Sequence, residues 1–370
     1  MVGWALLADV VPLYPLYALL FKDTGLSAAQ ISALFAIWSG VAILAEVPSG
    51  ALADRFGRRN ALVAAGVLQA SGYVVWTLAP GFTGFAVGFV LWGLGGALVS
   101  GAQEALLHDG LAAVGAEAEY ARVNGWVTSA TLLADLPAAA AATVLFAAGG
   151  YEAVGWVSVG VCLAAAAVAS TLPEPPSDSD DDELGYLATL RTGIVEAAAR
   201  PGVRAALVAA ALVGGFDALE EYLPLVTEGL GVPTTLVPLA MLPIGLAGAV
   251  GAALGGRADR LRPVALGLVL GAATLLLGAA GVTTGPVGIA ALALFYGAYR
   301  AVLVVVDARL QKRIESRSRA TVTSVAGLGV EISTFAVYAA WALGEVTAIA
   351  VLGLLIAAAL PRLLRAVGGG

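Results

Sequence analysis

The sequence predicts an all-α integral membrane protein, with twelve transmembrane helices in two related sets of six. Three observations carry this. The first is composition: 60 % of the 370 residues are hydrophobic and 12 % are charged, with a mean hydropathy of +0.91. A water-soluble chain of this length has no need of so apolar a core, and so few charges could not cover it. The second is an internal repeat. Residues 50–59 read GALADRFGRR and residues 255–262 read GGRADRLR, so Asp54-Arg55 returns as Asp259-Arg260 after 259 − 54 = 205 residues. The third is the placement of basic residues. Of 19 lysines and arginines, 17 fall on one side of the predicted spans, Lys22 falls on the other and Arg300 lies within a span. Basic residues collect in short cytoplasmic loops, so both termini are predicted to be cytoplasmic.

Each element follows from an apolar run bounded by polar breaks, because crossing ~30 Å of hydrocarbon takes about 20 residues. The first run, 4–21, starts almost at Met1 with no basic leader and no small-residue cleavage site, so it reads as a retained span and not a signal peptide. The runs 28–50 and 61–79 flank the first Asp-Arg hairpin, and 84–107, 124–148 and 152–171 complete the first set. The second set is 203–227, 233–254, 264–282, 286–309, 320–343 and 346–364, with the second hairpin between its second and third members. The predicted organisation is a six-helix bundle over 1–171, an acidic cytoplasmic linker over 172–202 and a second bundle over 203–370. The linker stretch LPEPPSDSDDDELG is too polar to bury a core, and an amphipathic segment over 186–199 is suited to the membrane surface. Cys162 is the one cysteine, so no disulfide framework exists. No basic tail points to nucleic acid, and the predicted surroundings are the lipid bilayer. No cofactor motif is present; with one histidine, His108, and no HExxH, an enzyme is not predicted.

The first hairpin carries a resemblance. GALADRFGRR matches, at every fixed position, the loop motif G-x-L-A-D-R-x-G-R-R/K of the major facilitator superfamily, and GGRADRLR looks like its weaker second copy. Residues 100–111 (SGAQEALLHDGL) and 317–324 (RSRATVTS) look, more loosely, like a drug-efflux-like branch. The resemblance implies a monomeric secondary transporter in the cytoplasmic membrane that moves a small molecule, coupled to protons, by alternating access. It also implies a cytoplasmic gate built from Gly50, Asp54, Arg55, Gly57, Arg58, Arg59, Asp109, Asp259 and Arg260. In the family the motif Asp meets the start of the eleventh helix, here the segment after Arg319. A motif arginine pairs with an acid ending the fourth helix, here Asp109. The antiporter run G-P-x-x-G-G is missing from the fifth span, which reads ADLPAAAAATV and keeps only Pro137. Efflux of a cationic or amphipathic compound is the leading expectation, with proton-coupled import of a metabolite and a transport-inactive sensor as alternatives.

The charges inside spans are the candidate site. They are costly at mid-bilayer and normally face a cavity or a partner. Asp9, Asp135, Asp217, Glu220, Arg300 and Glu331 are predicted to supply proton coupling and substrate contact. Asp135 lies about a dozen residues after Arg122, and Glu331 lies at a similar distance after Arg319. Both therefore fall near the midplane, where a carboxyl can titrate near neutral pH. Arg300 is central in the tenth span, and a switchable pair with Glu331 is expected. Asp9 is read as shallower, toward the cytoplasm.

Overall fold

The computed structural model describes residues 1–174, 200–314 and 319–365. All regular structure among them is helical: α1 (Val2–Asp9), α2 (Tyr17–Asp23), α3 (Ala28–Phe56), α4 (Arg58–Leu78), α5 (Phe82–Ala112), α6 (Tyr120–Ser170), α7 (Pro201–Gly215), α8 (Leu223–Gly229), α9 (Val237–Ala258), α10 (Pro263–Ala280), α11 (Gly285–Arg313) and α12 (Arg319–Leu364), with short 3₁₀ turns between some of them. The predicted linker residues 175–199 lie outside the described residues.

Among the described residues, nine stretches are long and apolar enough to cross a membrane, the longest being 54 and 43 residues. A helix of 54 residues would run ~80 Å against ~30 Å of hydrocarbon, so these two stretches must hold two spans each. Their backbones break accordingly, at Gly149-Gly150 in α6 and at Gly344-Glu345 in α12. Both breaks fall in the gaps that the hydropathy pattern leaves between spans. Nine stretches, two extra spans at the breaks and the interrupted first segment make twelve.

That first segment is where the structure departs from the sequence reading. The run 4–21 is not one helix, because α1 and α2 are separated by non-helical residues 10–16. Pro12 and Pro15 explain this, since each lacks the N–H that a helix interior requires. The run 203–227 is likewise divided, with α7 and α8 joined by a 3₁₀ segment, Phe216–Tyr222. Other helices outlast their predicted ends. α3 continues through GALADRF to Phe56 and α4 begins at Arg58, so the turn is confined to Gly57 at φ 94°. Gly50 lies inside α3 and not in the turn; a Cβ there would meet nothing within 4 Å, and the close approach of α3 and α5 is made by Gly101, whose added Cβ would lie 3.2 Å from the Gly50 Cα.

The described chain falls into two compact units, one within Met1–Glu183 with Thr234–Leu239 and the other within Leu184–Pro233 and Ala240–Gly370. In the first, α4 packs on α5 and α6, α3 on α5, and α1 on α6. In the second, α10 packs on α11 and α12, and α7 on α12. Three pairings correspond: α4 with α5, α4 with α6 and α1 with α6 match α10 with α11, α10 with α12 and α7 with α12. Aromatic rings fill the first unit's core around Phe21, Trp76, Phe85 and Phe89, with Phe21 and Phe85 centroids 4.5 Å apart. The second unit's core centres on Phe216, Phe295 and Tyr299, and Tyr222 stacks on Trp341 at 4.3 Å.

Candidate functional site

The two hairpins come first, because backbone geometry sets them. Gly57 breaks α3 from α4, which places Arg58 at the first position of α4. Arg58 pairs with Asp109 in the last turns of α5, and His108 Nδ1 lies 3.3 Å from the other Asp109 oxygen. The α4 N-terminus has no capping side chain of its own. Glu174 supplies one from the far end of α6: its Oε1 accepts from the Arg59 N–H at 3.1 Å, and its Oε2 lies 3.5 Å from Arg59 Nε. A carboxylate suits a helix N-terminus, where unpaired N–H groups and the dipole favour negative charge. A Cβ on Gly57 would run into that carboxylate. Sequence reasoning missed Glu174, whose one signal is an acid just beyond a span, between Pro173 and Pro175. The Arg55 guanidinium lies over the Phe56 ring at 5.5 Å. The side chains of Asp54 and of residues 319–321, where its expected partner segment begins, lie outside the described residues.

The second hairpin reverses the polarity. Here the motif acid is the paired group: Asp259 accepts from Lys312 and lies 3.6 Å from Arg309 Nε, both on α11. Arg309 also donates to the carbonyls of Asp259 and Leu261, at 3.0 and 2.6 Å. The hydrogen bond from Lys312, more than any other influence, holds the Asp259 carboxyl below the usual carboxylate range. Arg260 is exposed. Counted from the starts of α5 and α11, Asp109 and Lys312 occupy the same position, since 109 − 82 and 312 − 285 are both 27. Acid and base have therefore changed places between the two copies.

In the first unit's membrane interior, Asp9 ends α1 at the break. Its carboxylate is hydrogen-bonded to Thr131 on α6, and Asp135, one turn further along α6, is within electrostatic range. The depth argument kept these two acids apart. The break brings them together by ending α1 beside the middle of the fifth span.

In the second unit, Arg300 on α11 pairs with Asp217 at 2.9 Å, and Tyr296 donates to Glu220 at 3.1 Å. The guanidinium also lies 5.8 Å from the centre of the Tyr296 ring. Asp217 Oδ1 is buried and has no hydrogen-bond partner among the described residues. The Arg300 and Asp217 side chains are 32 % and 31 % exposed, so the pair is open to exchange with another polar group. Tyr299, fully buried, donates to the Val213 carbonyl at 2.8 Å. Glu331 is half-buried on α12, where its neighbours Val330 and Ser333 press against Gly214 and Gly215 at the end of α7. The partner the structure shows for Arg300 is thus Asp217, on a segment whose winding the sequence reading did not anticipate.

Two six-span units, each with a charged hairpin and carboxylates inside its spans, define a polytopic membrane protein of the transporter class. The sequence pattern of the Major Facilitator Superfamily matches residues 2–338. The chain belongs to that superfamily. No curated protein matches it. Among solved structures it is similar to the D-xylose–proton symporter, at 17 % identity and TM-score 0.67, covering 100 % of this chain and 97 % of that one. It is also similar to a bacterial homolog of the human lysosomal transporter Spinster, at 16 % identity and TM-score 0.74, over 98 % and 90 % of the two chains. The nucleoside transporter NupG gives 11 % identity and TM-score 0.73, over 98 % and 96 %. At these identities the likeness is one of fold.

Proposed function

We propose that the chain is a monomeric, proton-coupled secondary transporter of the cytoplasmic membrane, with both termini cytoplasmic. It exports a small cationic or amphipathic compound by alternating access. The observation that carries this reading is the charge balance inside the spans. Away from the cytoplasmic ends of the spans, six acids, Asp9, Asp135, Asp217, Glu220, Glu221 and Glu331, stand against one base, Arg300, and Arg300 is already paired with Asp217. An interior with surplus carboxylates favours protons and cations over anions. The neighbouring acids Asp9 and Asp135 form the proton site. Arg300 is the switched group, held by Asp217 in the structure, with Glu331 as a further acid for it to meet. The hairpins act as the cytoplasmic gate.

A second reading, proton-coupled import of a neutral hydroxylated metabolite, draws on the open Arg300–Asp217 pair. That pair offers donors and an acceptor side by side, as adjacent hydroxyl groups require. Proton flux into proteoliposomes, read by an internal pH dye during addition of lipophilic cations, sugars and nucleosides, separates the two. Cation-dependent flux that is lost in Asp135→Asn supports export with proton exchange. Flux that responds only to neutral metabolites supports the second reading. Flux unchanged in Asp135→Asn removes that residue from the proton site.

A further inference from the structure

The interruptions at residues 10–16 and 216–222 are 216 − 10 = 206 residues apart, within one residue of the hairpin repeat. Both run in triplets: VVP-LYP-L in the first and FDA-LEE-Y in the second. In the second the triplets sort by face. Phe216, Leu219 and Tyr222 are all buried, Asp217 and Glu220 share the next face, and Ala218 and Glu221 share the third. A 3₁₀ helix turns ~120° per residue, so residues three apart eclipse one another.

The segment meets α11 with matching rises. Three 3₁₀ residues climb ~6 Å, as do four α-helical residues. Asp217 and Glu220 therefore line up, antiparallel, with Arg300 and Tyr296, at 2.9 and 3.1 Å. Runs of 3₁₀ helix longer than about four residues are uncommon, and this one has seven. The two-rung ladder is what holds it. In the first unit the interruption is written into the chain by Pro12 and Pro15, which cannot supply helical N–H groups. No proline occurs within Phe216–Tyr222, and Pro224, at the second position of α8, leaves only the Glu220 carbonyl without an α-helical donor, so the segment ahead of it can rewind as an α-helix.

Rewinding changes which glutamate faces α11. At ~100° per residue, Glu220 would fall about 60° away from the Asp217 face. Glu221, four residues from Asp217, would come within about 40° of it at the same ~6 Å rise. Glu221 has no hydrogen bond or ion pair among the described residues. We propose that Phe216–Tyr222 exchanges between 3₁₀ and α windings, with Arg300–Asp217 as the shared rung and Tyr296 passing from Glu220 to Glu221. The tandem glutamates are alternative partners of one tyrosine. Rewinding seven residues also shortens the segment by ~3.5 Å, which draws α8 along the axis. This inference rests on reading Arg300–Asp217 as the working pair of the transporter.

The test uses the full chain in nanodiscs, with Cys162→Ser to remove the native thiol. Two double variants, Glu220→Cys with Tyr296→Cys and Glu221→Cys with Tyr296→Cys, are treated with a short bifunctional thiol reagent. Both pairs cross-link if both windings are populated. The 220/296 yield also reports that the variants fold. Asp217→Asn, which loosens the rung common to both windings, should lower both yields together, several-fold. A 221/296 yield below about a tenth of the 220/296 yield, or one that ignores Asp217→Asn while the 220/296 yield falls, overturns the proposal. The measurement needs neither cargo nor gradient. A failed flux experiment therefore counts against the transport reading alone, and a failed cross-link against the winding exchange alone.

Discussion

The two units interrupt their first membrane segment at the same register but hold the interruption by different means. In the first, Pro12 and Pro15 remove helical donors, and the stranded Leu13 N–H is taken up by the buried Ser158 hydroxyl at 3.1 Å. In the second, the backbone stays wound as 3₁₀ helix, a buried tyrosine hydroxyl serves the Val213 carbonyl, and side-chain pairs to α11 fix the phase. One interruption is a property of the chain and the other a property of its contacts. The breaks inside α6 and α12 differ in the same spirit. Gly150 takes up φ 60° in α6, while in α12 the corresponding break puts Glu345 at φ 48°, a backbone region that side chains with a Cβ resist. Repeated architecture therefore does not require repeated chemistry. Where the chemistry is non-covalent, the element can be moved.

The largest effect that would break this comparison is at Arg300. Arg300→Gln leaves Asp217 without its charge partner, and unfolding stability in detergent should fall by about 2–3 kcal/mol. That lies between the ~3–5 kcal/mol of a buried broken pair and the ~0–1 kcal/mol of an exposed one. Arg300→Gln with Asp217→Asn should recover most of the loss; equal instability of the double variant would show that the ladder is not what holds the segment. Next come the two hydroxyls. Ser158→Ala abandons a buried N–H and should cost ~1–3 kcal/mol, whereas Tyr299→Phe should cost only ~0.5–1.5 kcal/mol, because a carbonyl keeps a second lone pair for other partners. The reverse order in thermal unfolding would contradict the account of the first break.

At the breaks inside α6 and α12, Glu345→Gly should stabilise the protein by about 0.5–1 kcal/mol, and Gly150→Ala should destabilise it by a similar or larger amount. Two losses in place of a gain and a loss would mean that Glu345 is held by something other than tolerance of strain. The smallest effect concerns pH at the second hairpin. The Asp259 carboxyl is held below its usual range, mainly by Lys312. Its contribution is therefore complete above the unfolded value near ~3.9 and is lost as pH falls through the lower folded value. Thermal midpoints measured downward from pH 5 should decline more steeply in the wild type than in Asp259→Asn. Parallel curves would mean that the Lys312 contact contributes nothing in solution.

Much of this architecture was legible beforehand, and particular residues show why. The breaks at Gly149-Gly150 and Gly344-Glu345 lie in the gaps between predicted spans because hydropathy is a local property and the bilayer reads it locally. Arg58 and Asp109 could be named from the motif, and the structure brings them together. The helical run through Gly50 to Phe56 was less visible, since a polar stretch reads as loop whether or not its backbone hydrogen bonds continue. Glu174 was missed because helix capping from the end of another span leaves no spacing pattern. The interruption at Val10–Leu16 had a signal in Pro12 and Pro15 that hydropathy alone outvoted.

By itself the sequence determined twelve spans, their doubling into two sets, the hairpin positions and the roster of charges within the membrane. Solvation imposes all of these residue by residue. Only the tertiary structure decided which charges meet. Asp9 comes into range of Asp135 because the chain breaks beside α6. Arg300 takes Asp217 because three 3₁₀ residues climb as far as four α-helical ones. Partners depend on phase and rise between packed helices, and neither quantity is written in any single segment.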